Sequence, residues 1–341
     1  MAGTGTGKRV SVTPVAGVTS PPAGAMSIGG DGGIIDLARK AILDDDIEPY
    51  LWSGIELIHY LNIITEELYR ETLLIEDRTT TALTQLKLLS NLSDYTIDDR
   101  VLNVKEGAKL SENTNDNYGV LKRTSQAYMD QLKATWREIT DIAPTRFIPD
   151  CGRGSLSIYP KFDDEGEVVG ASNITFTAAT KKISKVGEDF TAHYVVGDEI
   201  NVSGTTYNDG YVTATLVSAT EITVTETLVN ETLTSATLRK VRDTLLMVVN
   251  RLPLTPFVVA DITAVTAVYP EIKTMYHREL LYGIGREAFQ KEDTQTLDLA
   301  AADRNGKRFE EFKDKVKRSL VFLNRSERQG SSGSSGIWKS Y

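Results

Sequence analysis

Four acidic residues, Asp44, Asp45, Asp46 and Glu48, crowd the start of the stretch LDDDIEPYLWSGIELIHYLN, residues 43–62. Carboxylates at this density are raw material for a cation site or an acid/base pair. A calcium loop of the EF-hand kind needs oxygen ligands at alternate positions, a central glycine and a closing glutamate; Ile47, Pro49 and Leu51 break that pattern. Three aspartates at the end of a helix also oppose its dipole, which marks a helix stop facing solvent. The acids are therefore read as a connector, kept extended by Pro49 until the next helix begins.

The other chemistry-bearing groups are scattered. GIGREA, Gly283–Ala288, fits the G-x-G-x-x-A pattern of a dinucleotide loop. That loop follows a strand, whereas the flanking YHRELLYGIGREAFQ has helical periodicity on both sides, so the glycines point to close helix packing. TGTGKR, Thr4–Arg9, lacks the first glycine and the Ser/Thr of a phosphate loop. His59, His193 and His277 stand in three separate segments without metal-ligand spacing. The run Asp163, Asp164, Glu165 sits in a turn, FDDEGE, where Asp and Gly serve the backbone. With Cys151 the only cysteine, intramolecular disulfides and cysteine-based zinc clusters are excluded. No catalytic residue, metal site or cofactor is expected, and the chain is not read as an enzyme.

Which elements carry these groups follows from periodicity. Ile34, Leu37, Ala38, Ala41 and Ile42 predict a first helix over residues 34–43. A second starts at Ser53, where Ser53-x-x-Glu56 is a capping box and Trp52 and Leu57 occupy the two positions of a hydrophobic staple. Leu57, Leu61, Ile64 and Leu68 continue it as a core stripe. Alternation in TALTQLKLL and YTIDDRVLNVKEGAKL predicts two strands, expected to pair antiparallel across a turn near Asn91 to Asp94. Tyr128, Leu132 and Trp136 predict a helix over residues 125–139, stopped by Pro144. The apolar run TLLMVVNRLPLTPF reads as a strand ended by Pro253 and Pro256. Leu280, Leu281, Ile284 and Ala288, then Phe309, Phe312, Val316, Leu320 and Leu323, predict a helical hairpin, with Glu311 and Lys315 as an i,i+4 pair.

The 341 residues allow two or three domains. Residues 1–33, rich in Gly, Pro, Ser and Thr, read as a flexible arm. Residues 34–172 and 241–327 read as two parts of one core, interrupted at 173–240 by a Thr/Val/Ser-rich insert expected to form a small all-β barrel or sandwich. Residues 328–341 form a tail whose Gly/Ser spacer carries Ile337, Trp338 and Tyr341. The spacer reads either as an engineered linker or as a tether with an aromatic anchor. The fold class is α+β. A net charge of −9 disfavours a protein built to grip nucleic acid. No run approaches the roughly 20 apolar residues of a membrane span, and no secretory leader is legible, so a cytoplasmic place of synthesis and no membrane partner are expected.

The order of several segments resembles one family. DDDIEPYLWSGIELIHYLNIITEELYRET, YTIDDRVLNVKEGAKL, LKRTSQAYMDQ, APTRFIPDCGRGSLSIYP, NRLPLTPF and YPEIKTMYHRELLYGIGREAFQKEDTQTLDLAAADRNGKRFEEFKDKV look like tailed-bacteriophage head-to-tail adaptor (connector) proteins, over residues 34–323 except the insert. The resemblance implies a helical adaptor core and a structural role. Copies would form a ring, usually twelvefold, below the portal protein, extend the DNA channel without sequence-specific binding, and dock tail tube, nozzle or fibre-associated proteins. The expected location is the head–tail junction of the virion, after assembly in the host cytoplasm. Ile337, Trp338 and Tyr341 would be anchors onto the portal. The β insert and the long N-terminal arm depart from the family pattern. A tail-associated adhesin that stacks sugars on insert tyrosines such as Tyr194, Tyr207 and Tyr211 is the alternative.

Overall fold

The structure, a computed structural model, describes residues 25–111, 119–169, 173–233, 235–293 and 296–331, with side chains as far as Leu320. The arm proper, TGTGKR within it, and Ile337, Trp338 and Tyr341 lie outside the described residues. The chain is mixed α+β and divides into two units, one holding the residues up to Glu67 and from Thr255 onward, the other Leu68–Leu254.

The first unit is helical. Helix α1 (Ile34–Leu37) passes into a π-helical stretch, Ala38–Leu43. Asp44 ends it in the left-handed conformation, φ 52°, with its amide bonded to the Arg39 carbonyl; Asp is one of the few residues that tolerate this backbone. Helix α2 (Gly54–Thr72) buries Leu57, Leu61, Ile64 and Leu68, the stripe expected from its sequence.

The second unit is mostly β. A strand at Glu76–Asp77 pairs with Val249–Arg251, which pairs with Val101–Val104. A short helix, α3 (Thr81–Thr84), precedes the strand Gln85–Leu89. The expected hairpin between the two alternating segments does not form. Gln85–Leu89 pairs instead with the far end of Thr237–Leu246, and Asp94–Thr96 with Ser155–Ser157. Alternation states which face of a strand is apolar, while its partner is chosen by which other strand buries the same core. Here that core includes Leu88, Val104, Phe147, Leu156, Leu245 and Val249.

The helix expected over residues 125–139 is also shorter. Helix α4 (Gln126–Leu132), capped by the Ser125 hydroxyl, stops at an extended Lys133. Tyr128 and Leu132 are exposed, so the expected stripe is not the buried one. Trp136, in a 3₁₀ turn (Trp136–Glu138), is buried with Met129 and Ile148, edge-on to Tyr159, its indole N–H on Asp130 at 2.8 Å. Breaking the helix lets a large side chain reach a core that a continuous helix would turn it away from.

The insert is a curled antiparallel sheet around its own core of Ile174, Phe176, Ile183, Phe190, Ile200, Val202, Ile222 and Leu238. One strand, Thr237–Leu246, belongs to both halves of the unit. Its first residues pair with Glu199–Ser203 and Glu167–Val169, and its last with Gln85–Leu89 and Lys109–Leu110, across a register shift between Val241 and Asp243. The insert is therefore joined to the frame by a continuous hydrogen-bonded ladder.

Back in the helical unit, α5 (Leu280–Ala288) buries Leu280, Leu281, Ile284 and Ala288. Helix α6 (Leu299–Ser331) buries Phe309, Phe312 and Val316 beside it, as the hairpin reading expects. Glu311 and Lys315 do not close into an ion pair among the described residues; the i,i+4 pair that closes on α6 is Asp303–Lys307, at 2.6 Å.

Candidate assembly surface

The helical unit is organised by three clamps. The first is the α2 cap. The Ser53 amide donates to Glu56 Oε2 at 2.7 Å, and the Glu56 amide donates to Ser53 Oγ at 3.3 Å, closing the expected capping box. Lys291, at 2.9 Å, and the Ser53 amide hold the Glu56 carboxyl below its ordinary range against the opposing effect of burial. Trp52 and Leu57 are both buried, as a staple requires. Trp52 also reaches α5: its indole N–H donates to the Ala288 carbonyl at 3.0 Å, and its ring meets Phe289 edge-on at 5.8 Å. Ala288 ends α5, where carbonyls lack helical partners, so Trp52 fastens the start of α2 to the end of α5.

The second clamp corrects the reading of the acid run. Asp45 is not solvent-exposed; it is 4% exposed and accepts from Arg39 Nη1 at 2.8 Å, the Leu51 amide at 2.8 Å and the Trp52 amide at 3.2 Å. A buried carboxylate needs such partners to offset its desolvation. The connector is thus folded back around Asp45. Asp44, Asp46 and Glu48 are exposed. An Arg within a helix followed six residues on by an Asp beyond its end was the available signal, and it is weak without knowledge of the turn.

The third clamp was not legible at all. Lys313 of α6 has a side chain only 1% exposed, paired with Glu67 of α2 and with Glu310 at 2.7 Å. Arg286 of α5 meets the same Glu67 at 3.1 Å and Glu287 at 2.7 Å, with its guanidinium 5.3 Å from the Phe309 ring centre. Burial alone would raise the Glu67 carboxyl, but the hydrogen bonds and charges of Arg286 and Lys313 outweigh it and hold it down at about 2. Arg286 belongs to the GIGREA segment. A Cβ on Gly283 would stand 2.7 Å from Ile64 Cδ1, and one on Gly285 would stand 2.5 Å from Ile42 Cγ2. The glycines are the close-packing positions of a helix, as their flanking periodicity indicates.

Three further groups have structural partners. His277 is buried, with Nδ1 accepting from the Met26 amide at 3.0 Å and Nε2 at 3.1 Å from the Ile272 carbonyl. His193 pairs with Glu188 at 3.1 Å. Burial raises the Cys151 thiol above its ordinary range. Among the described residues no group of His, Cys, Asp and Glu is arranged to hold a metal ion, and no helix is long and apolar enough to cross a membrane. A cleft of about 580 Å³ beside Arg286, lined also by Asp303, Lys307 and Glu310, mixes both signs of charge without converging on a ligand. In the insert, Tyr194 is buried, whereas Tyr207 and Tyr211 are exposed, Tyr211 with the Lys87 ammonium 4.1 Å from its ring centre.

One stretch of the helical unit leaves several large apolar side chains uncovered. Ile47, Tyr50, Leu51, Ile55 and Ile63 are all exposed within 17 residues, Ile47 at 78% and Ile55 at 67%. Ile55, His59 and Ile63 share the outer face of α2, opposite the buried stripe. No family model and no curated protein matches the chain.

Proposed function

We propose that the chain is a structural virion protein, a head-to-tail adaptor. Twelve copies assemble into a ring below the portal that extends the DNA channel and offers a platform to tail components. What carries the reading is the concentration of exposed large apolar side chains at residues 47–63. Exposed apolar surface gathered in this way marks a protein–protein contact. The order of segments shared with adaptors supports it from the sequence side. An acidic net charge of −9 also suits a channel wall that lets DNA pass, because gripping phosphate requires surplus Lys and Arg.

The insert fits this role as a rigid contact arm, since the strand Thr237–Leu246 gives it no hinge at that joint. The test is electron microscopy of the purified full chain. Rings with a central pore are expected; a monomer at every concentration would refute the adaptor reading. Specific glycan binding by the full chain would favour the adhesin, for which the exposed Tyr207 and Tyr211 remain available.

A further inference from the structure

The exposed apolar face carries charge of one sign. From Asp44 to Tyr69 there are seven Asp and Glu and no Lys or Arg. Asp45, Glu56 and Glu67 are consumed by the clamps. Asp44, Asp46 and Glu48 are exposed beside Ile47 and make no ion pair among the described residues.

Helix α6 of the same unit has the opposite character. It holds nine Lys and Arg against five Asp and Glu in an otherwise acidic chain. Arg304, Arg308, Glu311, Lys315 and Arg318 recur at spacings of three, four and seven, which places them on one stripe of the helix. All five are exposed, away from the face that buries Phe309, Phe312 and Val316. None of the four cations makes an ion pair among the described residues; Arg308 lies 5.1 Å from the Tyr282 ring centre.

We propose that the acidic, apolar face of one copy seats on the basic α6 stripe of a second copy, head to tail. The occupant is a second copy because the chain presents both complementary surfaces and neither can pair with itself. A two-fold contact of the acidic face would oppose Asp46 and Glu48 to their own counterparts, and a two-fold contact of the stripe would oppose arginines. Different patches must meet, and a contact of that kind propagates from copy to copy, making a ring where its rotation closes. Ile55 and Ile63 do not require an apolar partner of their own, because the methylene stems of Arg and Lys cover apolar surface while their charged ends reach the acids. The stripe is about 21 Å long at 1.5 Å per residue, longer than the roughly 12 Å from Ile55 to Ile63 on α2.

This inference rests on the adaptor reading and deepens it, and one experiment separates their failures. The assembly of the full chain is followed by mass photometry and light scattering against concentration. Arg308→Glu with Lys315→Glu should raise the half-assembly concentration by about tenfold or more, the equivalent of about 1.4 kcal/mol. Asp46→Lys with Glu48→Lys should do the same. All four substitutions in one chain restore complementarity and should return assembly to within about threefold of the original. Far-UV circular dichroism should be unchanged throughout, because the substituted side chains are exposed. Assembly should also weaken between about 0.15 M and about 1 M salt as screening shortens. Wild-type rings that persist unchanged in either double variant, or a fourfold variant that stays apart, overturn the interface and leave the ring reading standing. A wild-type chain that never associates overturns both.

Discussion

Replacing Trp52 by alanine tests the idea that one side chain ties two helices of the core together. Trp52 is 2% exposed, so truncation removes almost all of a buried indole and leaves a cavity; such changes cost about 3–5 kcal/mol. Within that total, the edge-on contact with Phe289 accounts for about 0.5–1.5 kcal/mol and the hydrogen bond to Ala288 for about the same. Phenylalanine at this position keeps an aromatic ring but cannot donate. The Ala288 carbonyl would then retain only the Lys291 amide at 3.3 Å. Trp52→Phe is therefore expected to cost about 1–2 kcal/mol, against about 4 kcal/mol for Trp52→Ala. The assay is urea unfolding followed at 222 nm, where the signal comes mainly from the helical unit that holds α2, α5 and α6. With a unit of this size, about 2–4 °C of melting temperature corresponds to each kcal/mol, so the alanine variant should melt about 8–16 °C lower. A loss below about 1 kcal/mol for Trp52→Ala, or equal losses for the two variants, would refute the clamp.

Gly283→Ala should destabilise by about 1–2 kcal/mol in the same assay, since overpacking against Ile64 outweighs the helix-propensity gain of alanine; a stabilised variant would show that α2 and α5 are not in close contact. Acid should release the Glu67 clamp. Its carboxyl is lowered from 4.5 to about 2, so the stabilisation is fully present above pH 4.5 and is lost as the pH falls toward 2, worth about 2–3 kcal/mol in that window. Titrating wild type and Glu67→Gln by urea unfolding should show the difference between them shrinking over that interval. In the β unit, Asp77 and Arg251 form a buried pair with side chains 3% and 9% exposed. Asp77→Leu leaves the guanidinium buried without this carboxylate and should cost about 3–5 kcal/mol by calorimetry, whereas a loss below about 1 kcal/mol would mean the pair is solvated.

Local signals carried through where the physics is local. Ser53 and Glu56 are three residues apart, and one turn of helix decides whether they meet. The stripe of α2 and the β-branched runs of the insert are likewise set by side-chain period, which is why they could be read from the chain. The stripe Tyr128, Leu132, Trp136 misled for the converse reason. Periodicity showed that a helix was possible, but burial of Trp136 beside Ile148 and Tyr159 required leaving it. Glu67, Arg286 and Lys313 stand too far apart in sequence for any spacing rule to unite them. Their neighbourhood exists only once α2, α5 and α6 are packed.

The acid run shows where that division falls. Sequence alone determined that Asp44 to Glu48 end one helix, that Pro49 follows, and that Ser53 begins another, because helix termination and capping depend on neighbouring dihedrals and hydrogen bonds. Only the tertiary structure decided that Asp45 is buried between Arg39 and the amides of Leu51 and Trp52 while Asp46 and Glu48 face outward. Adjacent carboxylates have the same intrinsic chemistry; their different roles arise from which of them the folded connector removes from water.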